Sequence, residues 1–232
     1  DLPGILRDSE RVYRSRFGQG YWTDHFIYLL DLLESYESVY PDRLRAPLFE
    51  QGEKKLTPAE IGTAHHLFMQ FCDFDAACAP NGVENELNRL AEKKILSTEQ
   101  AHAVDKRKIE RFFASDLYKT FMAENKVRRE FKFSVLVPAQ AYFPVAADAP
   151  EENVLLQGVI DCLIETRDGF VILDFKTDRI KKGGAVERAE QYRPQLAAYA
   201  RAVHEIYGRP VRACVLYFFH TGDTEWVSLD ED

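Results

Sequence analysis

At 232 residues, 46% of them hydrophobic and 29% charged, the chain is long enough for one well-buried core of an ordinary globular kind. A net charge of −8 argues against a protein that coats nucleic acid through bulk positive charge, while leaving room for an enzyme that grips a few phosphates locally. No apolar run reaches the length of a bilayer span and no charged-then-apolar leader opens the sequence, so no membrane partner is expected. The chain opens on Asp1 rather than Met, and the expectation is a piece of a longer polypeptide.

The first half, residues 1–126, reads as mainly helical. Apolar residues recur at helical spacing from Trp22 to Tyr40 and stop at Pro41. Thr57-Pro58-Ala59-Glu60 has Thr at the N-cap, Pro at the first helical position and Glu at the third, which predicts a helix running to Phe71. Asn81-Gly82 breaks the chain, and helices are predicted over Glu84–Lys93 and Thr98–Glu124.

The second half, residues 127–232, reads as a sheet-containing core. Val127 to Val137 alternates, with Phe131, Phe133, Val135 and Val137 on one face. An Ala- and Pro-rich loop, Pro138 to Pro150, precedes two strands, Asn153–Glu165 and Phe170–Thr177. A helix over Glu187–Tyr207 ends at Gly208 and Pro210, a buried strand follows over Val211–Phe219, and Trp226–Leu229 is a candidate edge. There is no internal repeat and no GxxxxGK[ST] phosphate loop, so these residues carry no ATP motor.

Asp168-Gly169 between two alternating segments predicts a two-residue hairpin that pairs Arg167 with Phe170. That register sets Asp161 opposite Lys176 and Leu163 opposite Asp174, which makes Asp161 and Asp174 diagonal neighbours about 8 Å apart at Cβ. The other face of the first strand, Val154, Leu156, Gly158, Ile160, Cys162 and Ile164, reads as core throughout. Two carboxylates and a lysine on one patch suit phosphodiester hydrolysis, because carboxylates are hard ligands for Mg²⁺ or Mn²⁺ and a lysine can orient water and stabilise phosphate. An isolated D…DxK match is more often an ordinary cross-strand ion pair.

The longer pattern is more specific. Gly158-Val159-Ile160-Asp161 followed by Leu173-Asp174-Phe175-Lys176-Thr177-Asp178 resembles the GxxD…DYKTD signature of RecB-family PD-(D/E)XK nucleases, particularly the AddA type. Gln195-Leu196-Ala197-Ala198-Tyr199 is similar to that family's QxxxY motif, Ile61 to His66 to its GTxxH helix, and Arg129-Glu130-Phe131-Lys132-Phe133 to its RExxF strand. The motifs stand in the family's order between Thr57 and Phe219.

The resemblance implies a restriction-endonuclease-like α/β fold, a mixed sheet flanked by helices, in one nuclease domain over residues 1–232. It implies Mg²⁺, with Mn²⁺ able to substitute, held by His66, Asp161 and Asp174, and Lys176 beside the attacking water. Gln195 and Tyr199 would touch DNA phosphate or orient Lys176, although Tyr199 reads equally as a core aromatic. His65, about 100° around the helix from His66, reads as packed and hydrogen-bonded. Glu130 is an accessory candidate, through water to metal or in an ion pair.

Arg179, Lys181 and Lys182, on the loop leaving the catalytic strand, and Tyr192 and Arg193 beyond it are DNA-binding candidates. Lys106-Arg107-Lys108 and Arg128-Arg129 are weaker ones, since most basic runs are solvated faces. Some relatives hold an iron–sulfur cluster with three late cysteines. Cys72, Cys78, Cys162 and Cys214 do not match that spacing, so no cluster is expected and buried free thiols are.

By resemblance the domain is an exonuclease on single-stranded DNA in double-strand-break repair, in the bacterial cytoplasm, coupled to a helicase in cis and to a partner of the AddB type. A free-standing nuclease and a non-catalytic DNA-end-binding domain are the rival readings.

Overall fold

The computed structural model describes residues 56–139 and 153–229. The helix expected over Trp22–Tyr40 and most of the Pro138–Pro150 loop lie outside the described residues. The chain divides into two compact units, Asp1–Thr63 and Ala64–Asp232, and the sheet with its flanking layers belongs to the second.

The first described helix, α1 (Pro58–Phe71), starts where its capping box predicts. The Glu60 amide donates to Thr57 Oγ1 at 3.3 Å, and the Thr57 amide donates back to Glu60 Oε2 at 2.7 Å. A short helix α2 (Phe74–Ala77) follows, then α3 (Gly82–Glu92). The single helix expected over Thr98–Glu124 is three pieces: α4 (Thr98–Ala103), α5 (Lys106–Ala114) and a π-helical turn (Leu117–Met122). Val104 and Ser115 both take extended backbone, and those two residues end the first two pieces. The breaks let Ile109, Phe112, Phe113 and Tyr118 all reach the core, which one straight helix could not arrange.

Five strands follow in chain order, β1 (Lys126–Pro138), β2 (Asn153–Thr166), β3 (Gly169–Lys176), β4 (Val211–Phe218) and β5 (Thr224–Val227), and they lie side by side in that order. Only β3 and β4 are parallel, because the long helix α6 (Ala185–Tyr207) carries the chain back between them. The sheet is therefore mixed and flanked by helices. One face packs Cys162, Leu173, Phe175, Val215 and Tyr217 with residues of α1 to α5. The other packs Ile160, Leu163, Ile172, Cys214 and Leu216 with Ala189, Leu196 and Val203 of α6.

Two details correct the strand reading. Thr166 pairs with Gly169, so the hairpin loop is Arg167-Asp168 and the register slides from the expected one. The expected turn needs positive φ at both central residues, whereas Gly169 alone is positive here, at 148°. Its missing side chain admits the Pro210 carbonyl, which accepts from the Phe170 amide at 2.9 Å; a Cβ at Gly169 would sit 2.3 Å from that oxygen.

The second correction concerns which way the strands face. Ile160 packs against the α6 layer while Cys162 and Ile164 pack against the helical layer, so the alternation of β2 slips by one residue at Asp161. β1 slips at the matching place, with Val127 in one layer and Phe131 and Phe133 in the other. Arg129 pairs with Cys162 and Phe131 with Ile160, and the residue between them, Glu130, has φ 50°. A left-handed residue turns the strand without adding one to it, and for glutamate it costs of order 1 kcal/mol.

Gly169→Ala is expected to lower stability by about 2 kcal/mol or more, read as a fall in the thermal midpoint. Glu130→Gly should raise that midpoint, by the equivalent of about 1 kcal/mol, because glycine takes the same backbone without strain.

Candidate active site

The corrected register brings the acidic residues closer than expected. Continued one step, the pairing of Cys162 with Leu173 sets Asp161 directly opposite Asp174 rather than diagonal to it. Each carboxylate then has its own means of compensation. Asp161 Oδ2 accepts from the Phe175 amide at 2.7 Å, and Oδ1 lies 3.3 Å from Nδ1 of His66. Asp174 Oδ2 stands 2.8 Å from the Lys176 Nζ. That ion pair lacks hydrogen-bond alignment, and Oδ2 is buried with no aligned donor.

The charges follow from these contacts. Burial pushes the Asp161 carboxyl up, but His66, the Phe175 amide and Lys176 outweigh it, and the net shift is downward. Asp174 moves the other way, because burial and the facing Asp161 exceed the help from Lys176. For His66 burial favours the neutral ring, yet the Asp161 carboxylate prevails and the pKa is raised. Glu130 is also raised, by burial and then by Asp161, which places its carboxylate in the same field.

Helix α6 supplies the opposite wall. Lys176 Nζ donates to Gln195 Oε1 at 3.1 Å, and Gln195 Nε2 donates to the Tyr199 hydroxyl at 2.8 Å. Tyr199 meets Phe133 edge-on with ring centroids 5.7 Å apart. Gly158 makes that contact possible, since a Cβ there would lie 2.7 Å from the Phe133 ring and 3.2 Å from Tyr199. Tyr199 is thus both the packed aromatic and the end of a hydrogen-bonded line to Lys176.

The position of α1 rests on Arg129. Its guanidinium donates to the Met69 carbonyl at 3.0 Å and to the Cys72 carbonyl, closing the C-terminal turn of the helix that carries His66. The same guanidinium stacks on Phe74 at 4.4 Å. Neighbouring His65 is buried, with Nε2 accepting from the Asp105 amide at 3.2 Å.

The basic candidates separate. Arg179, Lys181 and Lys182 are exposed on the segment that follows β3. Arg193 instead pairs with Glu190 at 2.8 Å and donates to the Ser228 carbonyl at 2.6 Å. Lys106 pairs with Glu84, and Lys108 with Asp105. Arg129 is no phosphate contact, being spent on α1, and Arg128 donates to the Tyr207 hydroxyl at 2.6 Å. Cys72, Cys162 and Cys214 are buried free thiols, with those of Cys72 and Cys214 pushed up to about 12 by burial; Cys78, against expectation, is exposed.

Arg129, a weak DNA-binding candidate from the sequence, anchors α1 instead. Two residues here went unread in the sequence: Asp178, inside a quoted motif, and Arg188, four residues before Tyr192. Arg188, Tyr192, Gln195 and Tyr199 form one stripe at helical spacing, which would have found the second of them.

The sequence profile of the PD-(D/E)XK nuclease superfamily matches residues 35–228. The chain belongs to that superfamily. It is 41% identical over 176 residues to the AddA-type chain of the ATP-dependent helicase/nuclease of Desulforamulus reducens, covering 76% of this chain and 14% of the relative. The corresponding chain of Moorella thermoacetica is 42% identical over 181 residues, 77% of this chain and 13% of the relative. That of Desulforudis audaxviator is 35% identical over 194 residues, 83% and 16%. This nuclease domain therefore spans about a seventh of the length of those AddA-type relatives.

Among the described residues no three His, Cys, Asp or Glu side chains already stand at metal-holding spacing. The donor set nonetheless fits a hard divalent ion, with an imidazole, an ionised carboxylate, and a second carboxylate whose buried oxygen lacks an aligned donor. No helix among the described residues is long and apolar enough to cross a membrane.

Arg129→Met, which keeps the stem and removes the donors, should lower stability by about 2–4 kcal/mol by stranding two helix-end carbonyls. Denaturant titration of the variant beside wild type measures it.

Proposed function

We propose that this domain hydrolyses DNA phosphodiester bonds with Mg²⁺, or Mn²⁺ in its place, held by His66, Asp161 and Asp174. The observation that carries the reading is the convergence of these three side chains, from α1, β2 and β3, on one patch with Lys176 beside them. Bound there, the ion supplies Lewis acidity toward the phosphate and a nucleophile at neutral pH. Asp161 would offer the ion an ionised oxygen, and Asp174 would offer the oxygen that now pairs with Lys176. Lys176, held by Gln195 and relieved of Asp174, orients the attacking water and stabilises the charge that gathers on phosphate oxygens. The water oxygen bonds to phosphorus and gives up a proton to solvent, the bond from phosphorus to the ester oxygen breaks, and that leaving oxygen takes up a proton from solvent.

The AddA-type relatives support a finer reading. The substrate is single-stranded DNA cut from an end, delivered by a helicase in the same polypeptide and alongside a partner of the AddB type, during break repair in a bacterial cytoplasm. Exposed Arg179, Lys181 and Lys182 would guide the strand's phosphates to the site. Glu130, half-buried beside Asp161, is an accessory acceptor for the water shell.

The test is cleavage of end-labelled single-stranded DNA in Mg²⁺, Mn²⁺ or EDTA. Wild type should cut only with metal, and Asp174→Ala and Lys176→Ala should each lose at least about a hundredfold in rate. Cutting that survives EDTA, or survives both substitutions, contradicts the assignment.

A further inference from the structure

Lys176 is held by more than the residues the reaction needs. Its side chain is 12% exposed, and its Nζ touches Asp174, Gln195 and a third group, the face of Tyr192, 3.7 Å from the ring centroid. An ammonium has three N–H bonds; here it donates to Gln195, while Asp174 meets it as an ion pair and Tyr192 through its ring face. The contact to Asp174 is the one that metal binding would take away.

Tyr192 is itself fixed. Its hydroxyl donates to Asp178 Oδ2 at 2.8 Å and accepts from Arg188 Nη2 at 3.1 Å. Arg188 Nη2 also donates to Asp178 Oδ1 at 2.7 Å, which closes a triangle of three side chains. Arg188 in addition lies 5.0 Å from the centroid of the same ring. Asp178 follows Lys176 by two residues, so the chain leaving β3 supplies both the ammonium above the ring and the carboxylate at its rim. Such an arrangement leaves Tyr192 poorly placed to stack on a base. One face is taken by Lys176 and the hydroxyl end by the ion pair.

We propose that Tyr192, locked by Asp178 and Arg188, is a positioning residue for Lys176, its ring face keeping the ammonium at the site when Asp174 turns to the metal. The proposal rests on the role given to Lys176 above. A cation over an aromatic face is attractive for as long as the lysine stays protonated, and the ring does not compete with metal for lone pairs, so the contact persists where a carboxylate contact cannot. It also leaves the ammonium's remaining N–H bonds free to turn toward phosphate.

Two measurements on the 232-residue chain decide it. In steady-state cleavage of single-stranded DNA with Mg²⁺, Tyr192→Leu should lower kcat about tenfold with KM within about twofold, and Tyr192→Phe should recover most of the loss. A raised KM with kcat intact would mean that Tyr192 contacts DNA instead, and equal losses in the two variants would mean that the ring is not what matters. The second measurement needs no turnover. Lysines are labelled with ¹³C-methyl groups, and the Lys176 signal is assigned by its loss in Lys176→Arg. In wild type and Tyr192→Phe it should be shifted upfield by the ring, and in Tyr192→Leu it should join the exposed lysines. A wild-type signal already among the exposed lysines overturns the proposal. A shifted signal in a protein that cuts no DNA supports the geometry while overturning the reaction it was meant to serve.

Discussion

A carboxylate at the middle of a sheet is tolerated when both its oxygens are occupied, and Asp161 has them occupied by different elements. One oxygen takes the Phe175 amide of β3, the other meets His66 of α1. Asp161 thereby joins the β2–β3 pair to a helix whose apolar residues pack into the same layer. Arg129, one strand away, holds the far end of the same helix by its carbonyls. The imidazole is therefore placed by two polar anchors, and every other distance in the site is measured from that frame.

The second carboxylate is managed differently. Asp174 faces Asp161 across a strand pair, and burial together with that like charge raises its carboxyl, while His66, the Phe175 amide and Lys176 hold Asp161 down. Lys176 relieves the strain without hydrogen-bonding the inner oxygen. The lysine is thus a built-in counter-charge for a buried carboxylate.

Much of this was legible in the residues and some of it was not. Thr57 and Glu60 announce the start of α1, Gly208 and Pro210 the end of α6, and the D…DxK motif sits on the strands expected of it. The hairpin register went astray because Asp-Gly suggests one turn, while the approach of Pro210 to Gly169, a contact between distant segments, selects another. The slip at Glu130 left no trace in the sequence, since glutamate is not a residue that favours left-handed backbone. Only the surroundings explain it: apolar side chains on both halves of the ribbon need opposite layers, and their burial exceeds the local strain. Conversely, the stripe that includes Arg188 was visible in helical spacing, but Tyr192 reads as exposed when each residue is taken singly.

That slip also divides a single strand between two neighbourhoods. Val127 and Arg129 of β1 share their fate with the layer built by α1 to α5, while Phe131, Phe133 and Val135 belong with α6, and Glu130 is the hinge between them. Opening fluctuations follow packed units rather than element names, so amides on either side of Glu130 would exchange with solvent in separate events. A strand that keeps one register on both sides of Glu130 would thus be split in its cooperativity, and the seam runs past Asp161.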